Sequence, residues 1–321
     1  MYNIPTGRFL GYTYENMEKD LGIFARVFQG RLHVGSLGKT ADGREIYHMI
    51  IGRQDAQEKI LIFGGMHGRE YMTCQLLMEQ TAEFLTLLCK KQQKYKGAAY
   101  ESLIEGKAVH VLPMTNPDGV SISQFGVKGI CRKDLQALIW QIAGEEGGRQ
   151  PCGIYFNRWK ANARGVDLNR NFDALWEEYD NGKAGPSSEK YKGICPESEE
   201  ESRALAELTR KERFRRTVSY HSSGQVIYWD FGLEGELKEE TKAFAQRIAH
   251  VTGYEQDENW DKQDLAGYKD WALMKMKIPS LTIEVGRTES PLPRTCFREI
   301  LRENRGVWEE TLLSLESRED L

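Results

Sequence analysis

The sequence predicts an α/β fold: a single domain, residues 1–321, with a central mixed, mostly parallel twisted sheet flanked by helices. Three observations predict it. Short apolar runs such as EKILIF (58–63), KAVHVL (107–112) and PSLTIEV (279–285) read as strands. Segments of helical periodicity alternate with them, as a sheet with helices on both faces requires. No Pro/Gly/Ser-rich linker or internal repeat interrupts the chain.

The elements follow in order. Residues from about 10 to 40 form a helical lead-in, with an exposed helix over 10–30. REIYHMII (44–51) and EKILIFGG (58–65) read as paired strands. From Glu70 to about Lys94, Met72, Leu76, Leu77, Ala82, Phe84, Leu87 and Leu88 recur at helical spacing. KAVHVLPM (107–114) is a strand that stops at NPDG (116–119), a turn signal. Residues 126–165, rich in Gly, Arg and Lys, read as a long irregular excursion of the kind that borders a site. A glutamate cluster after Pro196 opens a helix to about Arg213, acidic early and basic late, as the helix dipole favours. RRTVSYHSS (215–223) is a strand and turn, QVIYW (225–229) a strand, and 235–252 and 268–277 are helices. PSLTIEVG (279–286) is a buried strand, and one helix over 294–316 closes the chain.

Composition narrows the function classes. Hydrophobic residues make up 40% and charged residues 29%, a globular balance. The net charge of −4 gives no global basic surface for nucleic acid or an anionic membrane. The apolar runs are too short to span a bilayer. MYNIPTGRFLGYTYENMEKD lacks a basic stretch followed by an apolar one, so a cytoplasmic location is expected. The six cysteines form no CxxC pair, which argues against a thiolate zinc knot. Cys131 and Cys152 are spaced for a disulfide, yet free thiols are expected in a reducing compartment.

Sites in such sheets lie beyond the carboxyl ends of strands. There stand His67 and Glu70, Asn116–Gly119, His221 with Ser222 and Ser223, and Glu284. His67, Glu70 and His221 offer a His/Glu/His set, as a catalytic zinc uses. The HxxE spacing lets two ligands converge from one turn, with the third from a distant strand. The alternative is a polar turn beside a core histidine. Glu284, an acid among buried β-branched residues, is costly unless paired or functional. It suits a carboxylate that moves a proton between water and a leaving amine, or else a buried ion pair. Asn169 and Arg170 in GVDLNRNF (165–172) are adjacent donors, and the guanidinium fork matches a carboxylate. A loop-tying arginine is the alternative.

HGRE (67–70), NPDG (116–119), DLNRNF (167–172), SYHSSG (219–224), GYKDW (267–271) and LTIEVG (281–286) resemble, in order, the zinc metallocarboxypeptidase family. The match spans roughly residues 40–290. The resemblance implies one zinc ion per chain held by His67, Glu70 and His221, with Glu284 as general base and acid. It implies that Asn169 and Arg170 hold the substrate carboxylate and that Arg69 and Tyr268 line the substrate site. The family places an arginine upstream of the Asn-Arg pair to stabilise the oxyanion. Here Lys160 stands at that spacing, with Arg158 and Arg164 nearby. The family's pocket tyrosine has no counterpart, and Lys262 or Asp264 stands near its place.

Within the family, WKANARGVDLNRNF, HSSGQVIYW and GYKDW most resemble bacterial γ-D-glutamyl-meso-diaminopimelate peptidases, which cut peptidoglycan stem peptides. This implies a murein stem peptide as substrate. Lys269 and Asp270 would then face the side-chain carboxylate and ammonium of diaminopimelate, or be ordinary charges at a helix start. The alternatives are a conventional carboxypeptidase, a non-catalytic zinc-dependent muropeptide-binding protein, and a deacylase of small amides.

Overall fold

The computed structural model describes residues 11–90, 92–148, 153–180, 182–259 and 264–315. Cys152 and Lys262 lie outside them.

Helix α1 (Tyr14–Val27) starts where Thr13 Oγ1 accepts the Asn16 N–H at 3.2 Å. Strands β1 (Leu32–Lys39), β2 (Glu45–Gly52) and β3 (Glu58–Gly64) follow. Helix α2 (Tyr71–Leu88) ends six residues short of the expected Lys94. A short hairpin, β4 (Lys94–Tyr95) with β5 (Ala98–Ala99), leads into helix α3 (Tyr100–Ile104) and strand β6 (Lys107–Leu112). Helices α4 (Pro117–Phe125), α5 (Lys133–Glu145) and α6 (Ile154–Asn157) come next, then helix α7 (Glu200–Glu212). The last third carries β7 (Arg216–His221), β8 (Val226–Tyr228), α8 (Gly235–Thr252), β9 (Glu255–Asp257), α9 (Tyr268–Met274), β10 (Ser280–Glu284), α10 (Phe297–Glu303) and α11 (Val307–Leu313).

Eight strands form one sheet in the order β1-β2-β6-β3-β7-β10-β8-β9. The central run β6-β3-β7-β10 is parallel throughout. β1, β2 and β8 join antiparallel to their inner neighbours. The expected mixed, mostly parallel sheet is present, with one correction: β2 and β3 are not paired, because β6 lies between them.

Alternate residues serve opposite faces. Ile60 and Ile62 of β3 pack with α2, α8, α10 and α11, whereas Leu61 and Phe63 pack with α7, α9 and the 168–179 segment. A third cluster, built on Ile139, Ile142, Phe156 and Trp159, lies under α4 to α6.

Other expectations are revised. NPDG is a helix start: Asn116 caps α4, accepting the Gly119 N–H at 2.8 Å, and Pro117 takes the first turn. The 126–165 excursion contains the thirteen-residue helix α5. The closing helix is two helices, broken where Gly306 takes φ 92. Among the described residues no helix is long and apolar enough to cross a membrane.

Candidate metal centre and its surroundings

β3 delivers the chain to the centre through Gly64 and Gly65. At Gly65 (φ 63) a side chain would meet Cys74 Sγ at 2.4 Å, so only glycine makes the turn into α2. His67 and Glu70 follow within one 3-10 turn, and Gly68 between them lies flat against the neighbouring loop. A Cβ there would stand 2.3 Å from Gly119 O and 2.9 Å from Trp159 O. Asn116 rivets this loop. Its Nδ2 donates to Met66 O at 3.1 Å and to Ala161 O at 3.1 Å. The Gly68 N–H donates to Lys160 O at 2.9 Å.

His221 arrives as the last residue of β7. His67, Glu70 and His221 are all buried, and one ligand atom from each lies within 4.8 Å of the others. His67 Nδ1 is 2.8 Å from Glu70 Oε1, and His221 Nδ1 is 3.0 Å from Glu70 Oε2. The two imidazole nitrogens face each other at 3.2 Å. Two imidazole nitrogens and a carboxylate meeting this closely suit a cation at their centre better than each other. Ligands on one tetrahedral zinc stand about 3.3 Å apart for bonds near 2.05 Å. The residues fit a zinc ion.

Asp167 faces the far side of His67, with Oδ1 3.2 Å from Nε2 at ion-pair distance but off the line of a hydrogen bond. It is 1% exposed. Burial would raise its carboxyl, but the Lys160 and His67 charges outweigh this and hold it well below the usual range. A carboxylate on the outer nitrogen fixes the imidazole tautomer and ring orientation for metal binding. Sequence reasoning quoted Asp167 in DLNRNF without giving it this role. The signal was the D-x-N spacing, which makes a turn with Asp167 Oδ1 accepting the Asn169 N–H at 3.3 Å.

Glu284 ends β10 directly beside His221. Its Oε2 is buried without a hydrogen-bond partner. Burial first, and the Glu70 charge second, push its carboxyl up to about 7. A group so placed is suited to taking and returning a proton at neutral pH. Lys160 acts electrostatically on both Glu284 and Asp167. The two arginines near it are engaged elsewhere: Arg164 forks onto Glu200 at 2.5 and 2.8 Å, and Arg158 meets Glu289 at 2.9 Å on the surface. Arg69, whose charge also reaches Glu284, leans toward Glu189 at 3.8 Å.

Asn169 Oδ1 accepts the Tyr268 N–H at 3.1 Å, which joins the Asn-Arg pair to α9. Arg170 donates to Asn169 O at 2.8 Å and pairs with Asp264, so its fork already holds a carboxylate. Asp264 is 72% exposed at the side chain. Lys269 and Asp270 pair with each other, and Lys269 Nζ also donates to Asp230 O at 2.8 Å.

Tyr268 requires correction. It is 1% exposed, its ring lies among Phe63, Phe172 and Trp271, and its hydroxyl meets Thr209 Oγ1 at 2.9 Å. Its side chain is part of the core under the sheet.

The profile of the zinc carboxypeptidase family matches residues 17–311. The chain is 29% identical over 273 residues to gamma-D-glutamyl-L-diamino acid endopeptidase 1 of Lysinibacillus sphaericus, covering 85% of this chain and 65% of that protein. It is 30% identical over 274 residues to the uncharacterized protein YqgT of Bacillus subtilis (strain 168), covering 84% and 69%. The chain thus spans about two thirds of the length of both relatives. Among solved structures, thrombin activatable fibrinolysis inhibitor superposes with TM-score 0.73 at 18% identity, covering 94% of this chain and 74% of that one. Murein-tripeptide amidase MpaA from Escherichia coli O157 superposes with TM-score 0.52 at 18% identity, covering 89% and 93%.

Proposed function

We propose, from the premise that this chain belongs to the zinc carboxypeptidase family, that it hydrolyses the γ-D-glutamyl-meso-diaminopimelate bond of murein stem peptides. The chain is a zinc metallopeptidase with one zinc ion, for which His67, Glu70 and His221 are the candidate ligands. The observation that carries the catalytic reading is the unpartnered carboxylate of Glu284 beside these ligands. Pure binding needs no such base.

A bound zinc ion supplies Lewis-acid chemistry, polarising the scissile carbonyl and acidifying water. The Glu284 carboxylate takes the proton of the attacking water and delivers it to the leaving amine nitrogen. Lys160 sets an ammonium charge against the negative charge that develops on the carbonyl oxygen. Asp167 keeps His67 oriented. The Asn169 amide and the Arg170 fork orient the α-carboxylate of the residue after the cut, displacing Asp264.

The diaminopimelate reading is supported by the relative from Lysinibacillus sphaericus and by the Lys269–Asp270 pair. That pair and a diaminopimelate side-chain end carry opposite arrangements of one cation and one anion. The substrate's carboxylate and ammonium can replace the internal partners at little cost in unpaired charge.

The test is incubation of the zinc-loaded protein with L-Ala-γ-D-Glu-meso-diaminopimelate, with α-linked tripeptides in parallel and products read by mass spectrometry. Release of free diaminopimelate with α-linked peptides intact is expected. Cleavage of α-linked peptides alone would replace the proposal with a conventional carboxypeptidase. Cleavage of neither substrate would count against both peptidase readings.

A further inference from the structure

Beyond the zinc centre, the opposite end of the sheet holds a cavity of about 540 Å3. Arg210, Arg213, Arg215, Arg216 and Lys277 line it, against one carboxylate, Glu240. This is a concentrated positive site in a chain of net charge −4. Arg216 is its floor, the first residue of β7 and only 6% exposed at the side chain. It donates to Arg215 O at 2.7 Å and to Ser314 O at 2.9 Å, and meets Glu240 Oε1 at 2.9 Å. Its Nε–H is buried without a partner. Arg210 is occupied by Glu197. Among the described residues, the side chains of Arg213, Arg215 and Lys277 have no hydrogen-bond or ion-pair partner.

Three unpaired cations and a buried, partly unsatisfied arginine around one cavity repel one another unless an anion joins them. Arg213 (φ 52) and Lys277 (φ 56) both hold the left-handed backbone conformation that glycine adopts more readily. Each of these two turns thus carries a long basic side chain at a modest backbone cost. Guanidinium forks suit clustered anionic oxygens, and a phosphate group brings about three terminal oxygens and nearly two negative charges to one point, where a carboxylate brings two oxygens and one charge. We infer that this cavity binds the phosphate group of a small phosphorylated molecule. At about 540 Å3 the cavity has room for an organic group beside the phosphate. The site is separate from the zinc centre: Arg216 and His221 stand at opposite ends of β7, roughly 16 Å apart at strand rise.

The test is calorimetric titration of the zinc-loaded protein with inorganic phosphate, with malonate at matched ionic strength. The variant is R213E/R215E, both exposed positions outside the zinc centre. Phosphate binding by the wild type, weakened at least about tenfold in the variant and not reproduced by malonate, is the expected result. Phosphate binding of equal strength in the variant would place it elsewhere and overturn the inference. So would absence of binding in the wild type. Malonate binding as tight as phosphate would overturn the assignment to phosphate. Zinc content and melting temperature of the variant, compared with wild type, separate a lost site from a damaged fold.

Discussion

Glu284 and His221 are direct neighbours at the carboxyl ends of two adjacent parallel strands, β10 and β7. The sheet's own register therefore sets the proposed base against a proposed metal ligand. Neither position can slip without shifting every buried residue of its strand to the wrong face. Glu284→Gln preserves shape and removes the base. Zinc content by elemental analysis should stay near one per chain while turnover drops at least about a hundredfold. Full activity in that variant would end the assignment.

Asp167 acts through His67. Asp167→Asn should weaken zinc affinity about ten- to a hundredfold in competition with a chelator, the range for such outer partners. Circular dichroism should be unchanged. Zinc affinity equal to wild type would reduce Asp167 to a loop tie.

Lys160 and Arg164 separate by readout. Lys160→Ala should lower turnover about a hundred- to a thousandfold with little change in melting temperature, as for loss of one oxyanion donor. Lys160→Arg should restore part of it. Arg164→Ala breaks a fork on Glu200, so it should lower melting temperature and spare turnover. The reverse pattern would hand the role to Arg164.

The Lys269–Asp270 pair is probed by two substrates. Lys269→Met should reduce kcat/KM on the diaminopimelate tripeptide at least about tenfold, roughly the value of one charged contact. The same tripeptide ending in lysine lacks the side-chain carboxylate and should be little affected. Equal losses on both would remove Lys269 from substrate recognition.

His48 and His110 form a buried pair at 3.0 Å across β2 and β6. Burial above all pushes His48 down to about 4 and His110 down to about 3. The unfolded chain takes up these protons below about pH 6.5, while the folded chain resists them. Stability should therefore fall as pH drops from about 6.5 toward 4, by at most about 1.4 kcal/mol per histidine per pH unit. Urea midpoints across that window, flatter in H48L/H110L, are the check. Parallel slopes would absolve the pair.

Much of the fold was legible because burial writes itself into sequence. β3, β6 and β10 are apolar runs, and α8 has the predicted limits, ended by Gly253 at φ 72. β1 was missed because its half-exposed LHVGSLGK carries two glycines and no clean alternation. α5 was missed although Leu135, Ile139, Ile142 and Ala143 lie at helical spacing, because the flanking charges masked it. Strand order is not written locally, so β2 and β3 read as partners when β6 separates them. In the site, His67, Glu70, His221 and Glu284 converge as their spacing suggested. Tyr268 did not, because a tyrosine at a helix start looks the same whether its hydroxyl meets solvent or Thr209.

The amide of Asn116 touches the turn that carries His67 and the loop that carries Lys160. These segments, His67 and Lys160, lie about ninety positions apart in the chain, yet the Asn116 amide and the Gly68 N–H on Lys160 O fasten them together. Their exposure to solvent is then one event. Amide hydrogens of Gly68 and Ala161 should exchange with a common opening free energy, and one would not fray while the other holds. The centre cannot trade spacing between its metal and its cation to suit a new peptide. Adaptation to different substrates is left to the exposed walls, where the Asp264 side chain is 72% exposed.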